Sequence, residues 1–120
     1  MAIEISQRDL EERTSVVEIA GEVDLAAAPK LKWTLLDLAG TGRTHIVVDM
    51  SKVSFIDSTG LGALVGVKKN LGDEGRLAIA CPQANASRLF EVTGLDSTFR
   101  IFSRLEEAVA YALGHEANVG

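Results

Sequence analysis

His45-Ile46-Val47-Val48-Asp49-Met50 is an almost unbroken apolar run, and helix-spaced apolar positions stand on both sides of it. Such a run reads as a central strand whose two faces must both be covered. Before it, Ala28, Leu31, Leu35 and Leu38 recur at spacings of three and four, one buried stripe of a helix. Pro29 is tolerated only in a first turn, which predicts a helix start near Ala26, and Gly40 and Gly42 end the helix. After it, Ser58 to about Leu71 carries Leu61, Leu64, Val65 and Leu71 as a second stripe, with Lys68-Lys69-Asn70 on the wet side.

The alternation then repeats. Leu77-Ala78-Ile79-Ala80-Cys81 reads as another buried strand, stopped by Pro82. Ala86, Leu89 and Phe90 make a short helical stripe ended by Gly94, and Phe99 to Phe102 a short final strand. Ser103 and Glu106 have capping-box spacing before a last helix with Leu105, Ala108, Val109 and Ala112. At the other end, Ile3 and Ile5 alternate with polar residues. Val17 and Ile19 do so again within Thr14 to Ala20, predicting a hairpin whose second strand is broken by Gly21-Glu22-Val23-Asp24. Three β-to-α alternations predict parallel strands with right-handed crossovers. The expected fold is α/β: a mixed sheet, N-terminal hairpin plus parallel strands, with about four α-helices. It forms one domain over 3–113, followed by a frayed tail over 114–120.

Composition narrows the function classes. Net charge is −5 with a pI near 5.0, and Lys68-Lys69 is the one adjacent basic pair, which argues against nucleic-acid binding. No apolar run is long enough for a membrane helix and the N-terminus does not read as a signal peptide, so the expectation is a cytoplasmic protein without membrane partners. Cys81 is expected as a small buried hydrophobe. His45 and His115 lack the context of a catalytic base. Gly40-Thr41-Gly42-Arg43-Thr44 lacks the lysine and spacing of a phosphate loop and precedes a strand instead of following one. Ile56 stands where a nucleophile elbow around Ser58 would need glycine. The chain therefore reads as no enzyme, with no cofactor and no metal.

The segment with functional content is Phe55-Ile56-Asp57-Ser58-Thr59-Gly60-Leu61-Gly62. An apolar stretch ends in an acid, two hydroxyls and a glycine, and a helical pattern follows at once. Asp57 and Ser58 compete for the N-cap. If Asp57 caps, Ser58 lies in the first turn with a free hydroxyl. Gly60, Gly62 and Gly66 either allow close packing or leave a bare surface for a partner, and the second reading suits Gly60 and Gly62 better. Asp24 can cap the first helix or orient the Ser58 hydroxyl. Trp33 lies about 200° around its helix from Leu31 and so points away from the stripe. It meets a partner or packs under a loop.

With these residues the chain resembles the bacterial anti-sigma factor antagonists of the STAS family. Four further segments match in order: Gly21-Glu22-Val23-Asp24, Val47 to Ser51, Leu89 to Leu95, and Phe102-Ser103 with Glu106-Glu107-Ala108. The resemblance spans roughly residues 3 to 113. It implies partner switching: the unmodified antagonist binds an anti-sigma factor that is also a serine kinase, a sigma factor is freed, and phosphorylation releases the antagonist. A PP2C-type phosphatase restores it. Carried onto this chain, Ser58 is the phosphoacceptor, and Asp24, Asp57, Ser58, Thr59, Gly60, Leu61 and Gly62 form the partner-binding segment. The alternative within the same fold is a non-catalytic scaffold or an accessory subunit of a signalling or transport complex.

Overall fold

A computed structural model describes residues 3–115. The elements are β1 (Glu4–Asp9), β2 (Thr14–Val23), α1 (Ala28–Gly40), β3 (His45–Ile56), α2 (Ser58–Leu71), β4 (Arg76–Ala80) and α3 (Ala84–Val92), then β5 (Arg100–Phe102) and α4 (Leu105–Leu113). A 3₁₀ turn, Leu95–Ser97, precedes β5. The five strands lie in the order β1-β2-β3-β4-β5, with β1 antiparallel to β2 and the other neighbours parallel. This is the expected mixed sheet with its N-terminal hairpin and four α-helices. The described residues stop at His115, so the tail expectation over 116–120 lies outside them; Gly114 closes α4 in the left-handed region at φ 79°.

The topology explains the layering. Strands β2 to β5 advance across the sheet in one direction, so crossovers of one hand carry α1, α2 and α3 to one face. The main core lies there: Val17, Ile19, Ile46, Val48, Leu77 and Ile79 from the sheet meet Leu31, Leu35, Leu61, Leu64 and Phe90 from the helices. α4 follows the last strand and covers the opposite face, where Val16, Val47, Ala78 and Ala80 pack on Ala108 and Ala112. The period of two along β3 thus divides between two cores, which is why Ile46 to Met50 are all buried.

Several boundaries differ from expectation, each for a local reason. β2 is not broken at Gly21; it runs on to Val23, with Gly21 at φ 115°, open to glycine at little cost. Its pairing with β3 slips between Glu18 and Ala20 and again between Gly21 and Glu22. These two bulges obscure the alternation by which a strand is recognised. β3 likewise continues six residues past Met50. β1 runs on beyond the Ile3/Ile5 alternation to include Arg8 and Asp9, because both still pair with β2. The capping box before α4 does not form: Arg104 is the N-cap without a side-chain cap bond, and Glu106 instead pairs with Arg104 at 3.0 Å. Cys81 is half-buried, just past β4, at φ 57°. Burial, then the carboxylates of Asp49 and Glu106, push its thiol pKa up, away from reactivity.

His45 opens β3 with its Nδ1 buried and without a hydrogen-bond partner among the described residues. Burial, reinforced by the charges of Arg76 and Arg13, holds its pKa below the ordinary 6.5. The native state thus keeps the ring neutral where the unfolded chain would protonate it. This stabilisation is complete above about pH 6.5 and is lost as pH falls below that value. Urea midpoints should therefore drop between about pH 7.5 and about pH 5.5, and His45→Gln should lessen that drop. An identical pH profile in the variant would count against this role.

Candidate functional site

The site sits where β2 and β3 outrun the rest of the sheet. β4 pairs with β3 only from His45 to Asp49, whereas β2 follows β3 as far as Ile56. The two strands form a ribbon that carries Asp24 and Asp57 to adjacent positions at its tip. The Asp57 N–H donates to the Val23 carbonyl at 3.3 Å and ties the two strand ends together. On the edge of β3 left bare by β4, the side-chain amides of Gln83 and Asn85 donate to the Ser51 and Ser54 carbonyls at 3.2 Å. The N-terminal end of α3 thereby braces the ribbon.

The competition for the cap has a clear outcome. Asp57 is the N-cap of α2, with extended backbone, and its Oδ1 accepts from the Thr59 N–H at 3.0 Å and the Gly60 N–H at 3.1 Å. The Thr59 hydroxyl donates to the same oxygen. That bond, then the Gly60 N–H, holds the Asp57 carboxyl below the usual carboxylate range. Ser58 is the first helical residue; it is exposed, and its hydroxyl has no hydrogen-bond partner among the described residues. The sequence pattern brings an uncommitted hydroxyl to a helix N-terminus, with an ionised carboxylate beside it. Asp57→Ala should cost about 1 kcal/mol of stability through the lost cap. Its contribution should also vanish as pH falls below about 3.8, since a depressed carboxylate pKa stabilises the fold only above that range. Denaturant titrations of both proteins across that range test this.

Asp24 does not cap α1. Its Oδ1 accepts from the Ala26 and Ala27 N–H groups at 3.1 and 3.0 Å, so it closes the turn before the helix, which starts at Ala28 with Ala27 as an uncapped N-cap. The glycines also divide differently. A Cβ on Gly60 would lie 2.7 Å from Ile56 Cγ1 and 2.8 Å from the Val23 carbonyl oxygen, so Gly60 is a packing glycine and not part of a bare surface. Leu61 is likewise in the core. Gly62 has nothing within 4 Å of a Cβ and is open. Gly66 faces the end of the Lys32 side chain, whose Cε lies 3.1 Å from where a Cβ would stand.

Trp33 is 64 % exposed and Leu25 71 % exposed. Both line a groove of about 310 Å³ between α1 and α2, with Pro29, Lys32, Thr59 and Gly62. Phe55, 43 % exposed, adds an apolar side chain at the end of β3. Sequence reasoning missed Phe55. In regular alternation from Val53 it would face the core, but the bulge at Ser54 turns it outward and turns Ile56 in. The groove thus reaches Thr59, the residue next to the uncommitted hydroxyl, and Phe55 lies three residues before Ser58 in the chain. Among the described residues no three His, Cys, Asp or Glu side chains gather as for a metal ion, and no helix is long and apolar enough to cross a membrane.

The STAS domain model matches residues 6–108. The chain belongs to the STAS domain family. STAS proteins similar to it include an anti-sigma-F factor antagonist of Mycobacterium tuberculosis, 31% identical over 83% of this chain and 82% of the relative. Another is an anti-sigma-B factor antagonist of Staphylococcus aureus, 36% identical over 71% of this chain and 80% of that protein. A solved STAS structure, the anti-sigma factor antagonist from Mycobacterium paratuberculosis, superposes with a TM-score of 0.83 at 30% identity. It covers 92% of this chain and 93% of its own.

Proposed function

We propose that the protein is an anti-sigma factor antagonist of the partner-switching kind. Unmodified, it docks an anti-sigma factor through the surface around Ser58 and thereby frees a sigma factor. The same partner, acting as a serine kinase, phosphorylates Ser58 and is released; a PP2C-type phosphatase reverses the modification. The chain supplies an acceptor hydroxyl and no catalytic apparatus or cofactor, and acts in the cytoplasm where the transcription machinery is.

The observation that carries this reading is that Asp57 takes the cap and leaves the Ser58 hydroxyl exposed and unpartnered. A serine that capped its own helix would have its oxygen committed to backbone donors. The exposed Leu25, Trp33 and Phe55 support docking at the same place, because aromatic side chains are favoured anchors of interfaces. Contact with the partner falls to Ser58, Thr59 and Gly62 and to the apolar rim. Asp24 and Asp57 add negative charge, and Gly60 and Leu61 act from the core by holding the turn in shape. The relatives' names support the antagonist role itself.

The reading is tested by adding the unmodified protein to preformed complexes of anti-sigma and sigma factors from its own cell. Sigma-directed transcription should return with the unmodified protein and stay off with the Ser58-phosphorylated one. If the unmodified protein leaves every such complex intact, the antagonist reading is wrong.

A further inference from the structure

We propose that Thr59 is a positioning residue of the acceptor turn: its hydroxyl holds the Asp57 carboxylate across the mouth of α2 and leaves Ser58 as the turn's accessible phosphoacceptor. The proposal rests on the reading of Ser58 as the acceptor. Two hydroxyls stand side by side here, and nothing in their order says which one a kinase would use. The geometry separates them. The Thr59 O–H is donated to Asp57 Oδ1, while Ser58 has no partner among the described residues. In the transfer, the acceptor oxygen forms a bond to the γ-phosphorus of ATP, the bond from that phosphorus to ADP breaks, and the hydroxyl proton passes to a base of the kinase. At Ser58 that proton is free to leave. At Thr59 it lies in a bond to a carboxylate whose oxygen also accepts two backbone N–H groups.

The same contact keeps Asp57 away from Ser58. Two adjacent backbone donors fix one oxygen of the carboxylate, and the hydroxyl is a third donor on it. Without that third bond the carboxylate gains freedom to turn and accept the Ser58 O–H, occupying the acceptor. Thr59 therefore acts on the reaction through Asp57, and its own oxygen takes no phosphate. Its side chain also lines the α1–α2 groove, so a substitution that keeps its shape is needed to separate hydrogen bonding from packing.

Thr59→Val keeps the branched shape and removes the hydroxyl; Thr59→Ser restores the hydroxyl without the methyl. The Asp57 carboxyl is titrated by NMR in wild type and both variants. Thr59→Val should raise its pKa, and Thr59→Ser should return it toward the wild-type value. With the kinase partner and Mg-ATP, Thr59→Val should lose about tenfold or more in kcat/KM for phosphorylation, with recovery in Thr59→Ser. Ser58→Ala should take no phosphate on Thr59. An Asp57 titration unchanged in Thr59→Val overturns the positioning role whatever the kinase does. Phosphate on Thr59 in Ser58→Ala overturns the assignment of the two hydroxyls. If the kinase modifies neither wild type nor variants, the acceptor reading fails and takes the kinetic half of the proposal with it, while the titration still decides what holds Asp57.

Discussion

Ser58→Ala should bind the anti-sigma factor about as tightly as wild type, whereas Ser58→Asp should bind at least about tenfold more weakly and phosphoserine about 100-fold more weakly or worse. The reason lies in how the helix terminus is already used. A phosphate adds roughly 1.5 to 2 negative charges, and a free helix N-terminus would welcome it by about 0.3–1 kcal/mol. Here three of the first four N–H groups of α2 are taken by Asp57: Thr59 and Gly60 by its carboxylate, Leu61 by its carbonyl at 3.0 Å. The new charge is not drawn into the helix and is repelled by Asp57. It is presented to solvent beside Thr59, which lines the groove with Leu25 and Trp33, and a partner docked there would have to desolvate it. Each factor of ten corresponds to about 1.4 kcal/mol, so a penalty of about 3 kcal/mol is enough for a hundredfold. The fold should not register the change: melting of Ser58→Asp should stay within about 0.5 kcal/mol of wild type. Tight binding by Ser58→Asp at unchanged stability would rule out exclusion by charge.

Gly60→Ala should destabilise the domain by about 2 kcal/mol and lower its melting temperature by roughly 5–12 °C. Alanine normally improves a helix over glycine by about 1 kcal/mol, so the predicted sign is opposite to propensity. It follows from contact: the added Cβ meets Ile56 Cγ1, Val23 Cγ1 and the Val23 carbonyl oxygen at 2.7 to 2.8 Å. The carbonyl belongs to backbone that also accepts the Asp57 N–H, so it cannot move aside without loosening the tip of the ribbon. Gly62→Ala is the internal control. It meets nothing within 4 Å, and should stabilise by up to about 1 kcal/mol while adding a methyl to the surface offered to the partner. Opposite signs for two glycines two residues apart, read by thermal denaturation, test the division between packing and surface. Equal effects would contradict it.

Much of this was readable in the sequence where periodicity was clean. The run from His45 to Met50, the α1 stripe and the hairpin reflect burial at a fixed period, as do Leu61 and Leu64 of α2, whereas Val65 and Leu71 are only partly buried; each element covers the segment its pattern marks, with shifted ends. Reading failed where bulges change the period. The six residues of β3 beyond Met50 and the end of β2 look irregular along the chain because each strand slips against its partner, and the exposure of Phe55 is a direct result. It failed also where one local rule had two claimants. Ser103 and Glu106 have the spacing of a cap, but the helix begins one residue later than that spacing requires. Asp57 and Ser58 could each have capped α2; only the observed bonds to Thr59 and Gly60 decide it, and that decision carries the functional reading. The role of Gly60 depends on Val23, far away in sequence, and no local pattern reveals such a contact.

The most direct measurement is a time course of the wild-type protein with its anti-sigma factor and Mg-ATP, with the modified residue mapped by mass spectrometry and the complex followed in the same samples. A single phosphate, on Ser58, should appear in step with dissociation of the complex. No phosphate, a phosphate on another residue, or a Ser58-phosphorylated protein that stays bound would contradict it.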